Sequence, residues 1–328
     1  MPDKIVIIGG GIAGVAAKRL NKKAILIDKS PFMTIAPRLI DVVSGAPKEY
    51  ALVKRATDIT GEVTDINFQE KEIYIGNETI GYDIIIIATG HSQKFDFIKG
   101  YRYLTGFTTI DDAVKLRENF GTDKKIVIIG GGYMGVELAG AISGKNTTVI
   151  EAGKTLLPGL PPELGHYASL CLKKSNIAVE LDNPVLEVTK DNVITENKEY
   201  AYDIAVFAGG LTGSIPLINK GNKKMMKITV NKYLQSIEYK DAYAAGDSMQ
   251  LASGFAPMSA IMAEASGLTA MKNVMGNKVP FSMNNFANII RIGNNYFGEV
   301  ENRFVSGAIA RIIKHAGIAL AVNRGREL

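Results

Sequence analysis

Ile5 to Gly11 spells IVIIGGG, and Ile126 to Gly132 spells it again. The repeat sits within a chain of 328 residues, so the first question is what has been doubled. In each copy an apolar run of strand length meets a glycine turn and then a helix-forming stretch. In the first copy Lys4 to Ile8 reads as a buried strand, Gly9-Gly10-Gly11-Ile12-Ala13-Gly14 as the turn, and Val15 to Leu20 as helix. Gly9 permits a tight turn, Gly11 lets backbone approach a pyrophosphate, and Gly14 lets helix and strand pack closely. The helix N-terminus offers free N–H groups and partial positive charge to the same phosphates. A second strand, AILID, ends at Asp28, about twenty residues after Gly9, where a carboxylate would accept ribose hydroxyls. The second copy repeats the plan with Gly130, Gly132 and Gly135 and closes its next strand, TTVIE, at Glu151.

The doubling is longer than seven letters. YDIIIIATG follows the first loop from Tyr82, and YDIAVFAGG follows the second from Tyr202, at nearly the same distance. Two copies of one domain fold account for this. The expected class is α/β, with two Rossmann-like dinucleotide-binding domains, each carrying a β-meander, over Gly61 to Ile75 and over Ile177 to Val193. Residues 1–104 and 238–280 are assigned to the first domain, 105–237 to a second inserted into it, and 281–328 to a small C-terminal segment.

Bulk properties exclude several classes. The chain is 46% hydrophobic and 22% charged, with 38 Lys+Arg against 33 Asp+Glu. A net charge of +5 spread so evenly argues against nucleic acid and leaves room for an anionic membrane or an acidic carrier protein. His91, His166 and His315 are scattered and form no metal constellation. The one cysteine, Cys171 in HYASLCLKKS, lies on an apolar stripe and reads as core. With a strand starting by Ile5 and no long apolar run, no signal peptide or membrane span is expected. The expected address is cytoplasmic, with the inner face of a membrane as an alternative.

The order GxGxxG, YDxxxxATG, GxGxxGxE and a late GD, Gly246-Asp247 in DAYAAGDS, resembles the two-dinucleotide flavoproteins of the FAD/NAD(P)-dependent pyridine nucleotide-disulfide oxidoreductase type. The resemblance runs from Ile5 to about Gly276. It implies FAD held by Gly9, Gly10, Gly11, Ile12, Ala13, Gly14, Asp28, Lys29, Pro37, Val63, Ala88, Thr89, Gly90, Gly246, Asp247, Pro257 and Met258. Asp247 would hydrogen-bond the ribityl chain, and Pro257 would open a helix whose N-terminus faces the flavin. The second module would hold NADH through Gly130, Gly132, Tyr133, Met134, Gly135, Glu151, Gly209 and Gly210. A carboxylate at Glu151 welcomes a 2′-hydroxyl and repels the 2′-phosphate of NADPH, an effect that Lys154 weakens a little. Glu137, one turn into the helix, is the candidate catalytic residue, since that position in the family lies near nicotinamide and flavin; the alternative is an acid complementing the helix dipole.

Sulfur decides among acceptors. Thiol reductases of this type need a cysteine or a pair beside the flavin, whereas SPFMTIAPRLIDVVSGAPKEY carries only Met33. PFMTIAPRLIDVVSG is similar to the corresponding stretch of type II NADH dehydrogenases, with Pro37 and Gly45 matching. Two features depart from that group. The glutamine expected near the quinone is absent from Met262-Ala263-Glu264-Ala265, and the tail beyond it is short. FVSGAIARIIKHAGIALA sets Arg311, Lys314 and His315 on one side and Ile309, Ile312, Ile313 and Ala316 mostly away, which fits a membrane-surface helix or one docked on the protein's own core. The first functional reading is therefore an NADH:quinone oxidoreductase. The second is a reductase for ferredoxin, rubredoxin or a similar acidic carrier, and the third an NADH sensor resembling apoptosis-inducing factor. A homo-oligomer is expected in each case.

Overall fold

The computed structural model describes residues 3–327 apart from 122, 143, 145, 214, 220–221, 255–257 and 283–286, and leaves out the side chains of 215–219 and 222–226. The doubled sequence is a doubled sheet. One five-stranded sheet runs Ala242–Ala244, Ile84–Ile87, Ile5–Ile8, Ile25–Asp28, Ile59–Thr60. The other runs Thr105–Gly106, Ile204–Phe207, Lys125–Ile129, Asn146–Ile150, Ala178–Glu180. Every neighbour in both is parallel. Even the register repeats: Ile5 faces Ile84 in one sheet, as Ile126 faces Ile204 in the other.

Burial explains the strand composition. Val6, Ile7, Leu26, Ile27, Ile85, Ile86 and Ile87 are all fully buried, as expected of parallel strands covered on both faces. Each such side chain contributes about 1.5–3 kcal/mol relative to exposure. The helices are α1 (Ile12–Leu20), α2 (Leu39–Val43), α3 (Ile110–Asn119), α4 (Tyr133–Ala141), α5 (Pro162–Lys174), α6 (Ala260–Val274) and α7 (Gly307–Arg326). The strand that precedes Gly246-Asp247, Ala242–Ala244, does join the first sheet beside Ile85–Ile87.

The two meanders start later than their patterns suggest. They span Val63–Gly81 and Val185–Ala201, while Ile59–Thr60 and Ala178–Glu180 belong to the parallel sheets. Short apolar runs cannot distinguish a parallel edge strand from the first strand of a meander. Helix α6 likewise begins at Ala260, because Ser259 accepts a hydrogen bond from Met262 N–H at 3.3 Å and so caps it. Pro257 lies outside the described residues.

The C-terminal residues build an antiparallel sheet, Ala287–Ile292, Asn295–Val300 and Arg303–Ser306, followed by α7. This sheet lies against α4 at Gly140, where a Cβ would come within 2.5 Å of Gly293 N and 2.7 Å of Ile292 Cα. One core joins Leu39, Ile40, Val42 and Val43 of α2 to Phe107, Val136 and Leu138 of the second unit and to Ile290, Ile292 and Phe297 of the C-terminal sheet. Thus α2, from the first half of the chain, meets the second sheet's helices and the C-terminal unit at one junction.

Helix α7 resolves the two expectations in an unforeseen way. Its inward face is Ala310, packed with Ile289 and Tyr296, then Lys314, and further along Val322 and Gly325, which settle on Val15, Met33 and Val53. Ile309, Ile312 and Leu320 point outward and are 63%, 68% and 51% exposed. The lysine is inside because it meets the carboxylate of Glu137.

Candidate functional site

The two glycine loops are built alike. At Gly14 an added Cβ would come within 1.8 Å of Gly9 O, and at Gly135 within 1.9 Å of Gly130 O, so only glycine lets either helix sit this close to its loop. A Cβ at Gly11 or Gly132 would meet nothing within 4 Å, so each loop is closed on its packing side and open on the other. Neither α1 nor α4 has a side-chain N-cap or an acid in its first turn, whereas α3 carries a full capping box from Thr109 and Asp112. Open loops with uncapped helix starts fit bound diphosphates.

The acids close the sites in the same way. Asp28 Oδ2 accepts from Gly10 N–H at 2.6 Å, and Glu151 Oε2 accepts from Gly131 N–H at 2.6 Å. Asp28 Oδ1 takes Ser30 N–H and Glu151 Oε1 takes Gly153 N–H. The loops Ala88-Thr89-Gly90 and Ala208-Gly209-Gly210 follow equivalent strands and back the two glycine turns, Ala88 against Gly9 and Ala208 against Gly130. Lys29 is exposed, 3.9 Å from Glu62, and Val63 opens the first meander. Tyr133 and Met134 are the first two residues of α4; Met134 packs into the core, and burial with nearby Glu299 and Glu137 raises the Tyr133 phenol. Met258 lies just ahead of the Ser259 cap, half-buried.

Arg55 belongs to the first site and carries no local sequence signal. It is 4% exposed, donates from Nε to Gly10 O at 2.5 Å, and sets Nη2 3.1 Å from Asp28 Oδ2. Burial lowers its pKa, and the Asp28 charge opposes that. Its Nη1 is buried with no hydrogen-bond partner among the described residues. An orphaned cationic N–H under an open glycine loop is a further fit to an anionic ligand.

Gly246 and Asp247 stand on a short turn, Gly246–Ser248, held by Gly246 N–H donating to Ser266 Oγ and by Ser248 Oγ donating to Ile87 O. Asp247 Oδ2 lies 2.8 Å from His91 Nδ1, a pairing the scattered histidines gave no hint of.

Glu137 meets partners from the far end of the chain. It is 7% exposed and turns toward the C-terminal unit. Its Oε1 accepts from Arg291 N–H at 2.9 Å and from Lys314 Nζ, and Lys314 also donates to Ile289 O at 2.9 Å. Arg291 in turn donates from Nη1 to Asp41 Oδ1 of α2 at 2.5 Å, and the Asp41 partnership outweighs burial to raise its pKa. These residues surround a cavity of about 240 Å³ walled by Pro37, Ile40, Tyr296, Ile318 and Ala319 beside the charged groups. Asp41, Arg291 and Tyr296 were not foreseen, since their partners lie far off in the chain. No group of three or more His, Cys, Asp and Glu able to hold a metal occurs among the described residues. Cys171 is buried, and burial raises its thiol pKa.

The pyridine nucleotide-disulphide oxidoreductase family matches residues 3–267 of this chain. The chain belongs to that family. An NADH oxidase from Methanocaldococcus jannaschii is 27% identical, over 98% of this chain and 81% of that protein. Demethylphylloquinone reductase NdbB of Synechocystis is 26% identical, over 75% of this chain and 72% of its own length. In fold the chain is similar to NDH2 from Plasmodium falciparum, solved with NADH, with a TM-score of 0.83 at 18% identity, covering 99% of this chain and 96% of that one. This member is an NADH-dependent flavoprotein oxidoreductase, and FAD and NADH are its cofactors.

Proposed function

We propose that this oxidoreductase passes electrons from NADH to a quinone through the cavity at the junction of α2, α4 and the C-terminal unit. The wall of that cavity carries the reading. A quinone needs an apolar slot for its ring and a source of protons, and here Pro37, Ile40, Ile318 and Tyr296 stand beside the buried Glu137–Lys314 pair. Bound FAD would supply acceptance of hydride from NADH and delivery of two electrons. The balance is NADH + H⁺ + quinone → NAD⁺ + hydroquinone, so one proton must come from the medium. Lys314 lines the cavity, and its Nζ donates to Glu137 and to Ile289 O, which leaves one further N–H for an acceptor oxygen. The single cysteine is buried, does not line this cavity and has no second cysteine to pair with in the chain.

The first site's glycine loop, Asp28 and Asp247 hold FAD on this reading, and Gly130, Gly132, Gly135 and Glu151 hold NADH. The outward face of α7, with exposed Ile309, Ile312 and Leu320 and exposed basic Arg311, supports contact with an anionic lipid surface, where a lipid-soluble quinone is met. No helix among the described residues is long and apolar enough to cross a membrane.

The test is anaerobic stopped-flow reoxidation. Protein reduced with one equivalent of NADH and mixed with a short-chain quinone should regain its flavin absorbance within milliseconds. Reoxidation no faster than in buffer would remove the quinone. A fast reaction with an acidic iron–sulfur carrier, falling steeply with salt, would then replace it. The nucleotide assignment has its own check. Glu151→Arg should shift the ratio of kcat/KM for NADPH over NADH upward by about tenfold or more, because a carboxylate facing a 2′-phosphate becomes a guanidinium. An unchanged ratio would take Glu151 out of the ribose site.

A further inference from the structure

The chain passes between its two parallel sheets twice, and the crossings lie side by side. His91–Gln93 pairs antiparallel with Leu211–Gly213, His91 opposite Gly213 and Gln93 opposite Leu211. Gln93 fastens the first crossing to the second sheet's surroundings, donating from Nε2 to Phe207 O at 2.8 Å and accepting from Phe107 N–H at 2.9 Å on Oε1. Two residues earlier, His91 fastens the same strand to the first site, with Nδ1 2.8 Å from Asp247 Oδ2. An ionised carboxylate only accepts, so Nδ1 carries the hydrogen.

Asp247 also faces the segment that returns from the second crossing. Ile228–Val230 pairs parallel with Met249–Leu251, which sets Lys227 close to the Gly246–Ser248 turn. Burial lowers the Lys227 ammonium, and the charge of Asp247 opposes this. The turn itself is fixed at Gly246 and Ser248 by their bonds to Ser266 and Ile87, while His91 makes the hydrogen bond to the Asp247 carboxylate.

We propose that His91 is a positioning residue for the flavin: its ring N–H sets the Asp247 carboxylate for a polyol hydroxyl and ties that carboxylate to the strands that join the two sheets. The proposal rests on the reading of Asp247 as an FAD contact. A carboxylate free to rotate offers a hydroxyl a spread of orientations, and one oxygen fixed by a charge-assisted bond leaves the other aimed. His91 does not touch the reacting atoms on this account. It acts through Asp247.

The experiment strips FAD from the intact chain and titrates it back into the parent, His91→Ala, His91→Asn and Asp247→Ala, following flavin fluorescence for Kd and measuring the midpoint potential of the bound flavin. Asparagine places an N–H near the position of Nδ1. His91→Ala should raise the FAD Kd about tenfold or more and displace the potential, and His91→Asn should restore most of both. A role confined to holding the two crossings together would lower apoprotein stability with Kd and potential unchanged, and that result overturns the proposal. So does equal weakening by Ala and Asn. If Asp247→Ala keeps the parent Kd, the reading of Asp247 fails first and His91 with it. If Asp247→Ala weakens FAD while His91→Ala does not, only the His91 proposal falls.

Discussion

Glu137→Gln should slow reoxidation of the reduced protein by quinone about a hundredfold, while reduction by NADH changes by no more than about threefold. The substitution keeps the shape of the side chain and an oxygen for Arg291 N–H, and it removes the charge opposite Lys314. Lys314 is 13% exposed along its side chain, and without the carboxylate its ammonium keeps only Ile289 O as a partner among the described residues. The donor that the quinone needs is then no longer held in place by Glu137. Stopped-flow traces of the two half-reactions separate the cases. Equal slowing of both would mean that the Glu137–Lys314 pair chiefly holds α4 against α7 and so aligns the two cofactor sites. No slowing of either would remove Glu137 from the reaction and leave it an ordinary buried ion pair.

The parts of this site that the sequence reveals are those made by neighbours in the chain. Gly9 through Gly14 and Asp28 fall within one strand–loop–helix–strand unit, so spacing alone carries their geometry, and a second copy at Gly130 to Glu151 confirms the unit. The parallel sheets follow from the same repeat. The junction cavity is another matter. Arg291 and Asp41 are 250 positions apart, Lys314 and Glu137 177, and His91 and Asp247 156. No periodicity or motif links such pairs; the first two meet because α2 is packed in the core of the second unit and the C-terminal sheet lies on α4 at Gly140, and the third because Ala242–Ala244 lies beside Ile85–Ile87, so the turns that follow the two strands adjoin. Helix α7 shows the limit most plainly. Its pattern of Arg311, Lys314 and His315 against isoleucines reads as a basic edge facing outward, yet Lys314 is turned inward by one distant carboxylate and Ile309 and Ile312 are left in solvent. An amphipathic stripe predicts which face is buried only when the buried surface it meets is itself apolar.

Arg55→Met should cost about 3–5 kcal/mol of stability and leave the protein unable to retain FAD through gel filtration. The guanidinium is the floor of the first glycine loop: a Cβ on Gly10 would lie 2.3 Å from Arg55 Cζ, so the loop rests directly on it. Methionine fills part of that volume and makes none of the bonds to Gly10 O and Asp28. Asp28 would remain part-buried with only the Gly10 and Ser30 N–H groups as partners, and breaking one half of a buried pair is far more damaging than replacing both. Arg55→Lys should be nearly as harmful, since one ammonium cannot span Gly10 O and Asp28 in the geometry of a planar fork. Asp28→Asn combined with Arg55→Met should recover part of the stability without recovering FAD, because the unpaired charge is gone while the carboxylate for the ribose and the loop's floor are both lost. Urea unfolding of the apoprotein gives the first quantity, from the midpoint at constant slope, and the flavin-to-protein absorbance ratio gives the second. A yellow, fully stable Arg55→Met protein would show that the orphaned Nη1 faces nothing the cofactor needs.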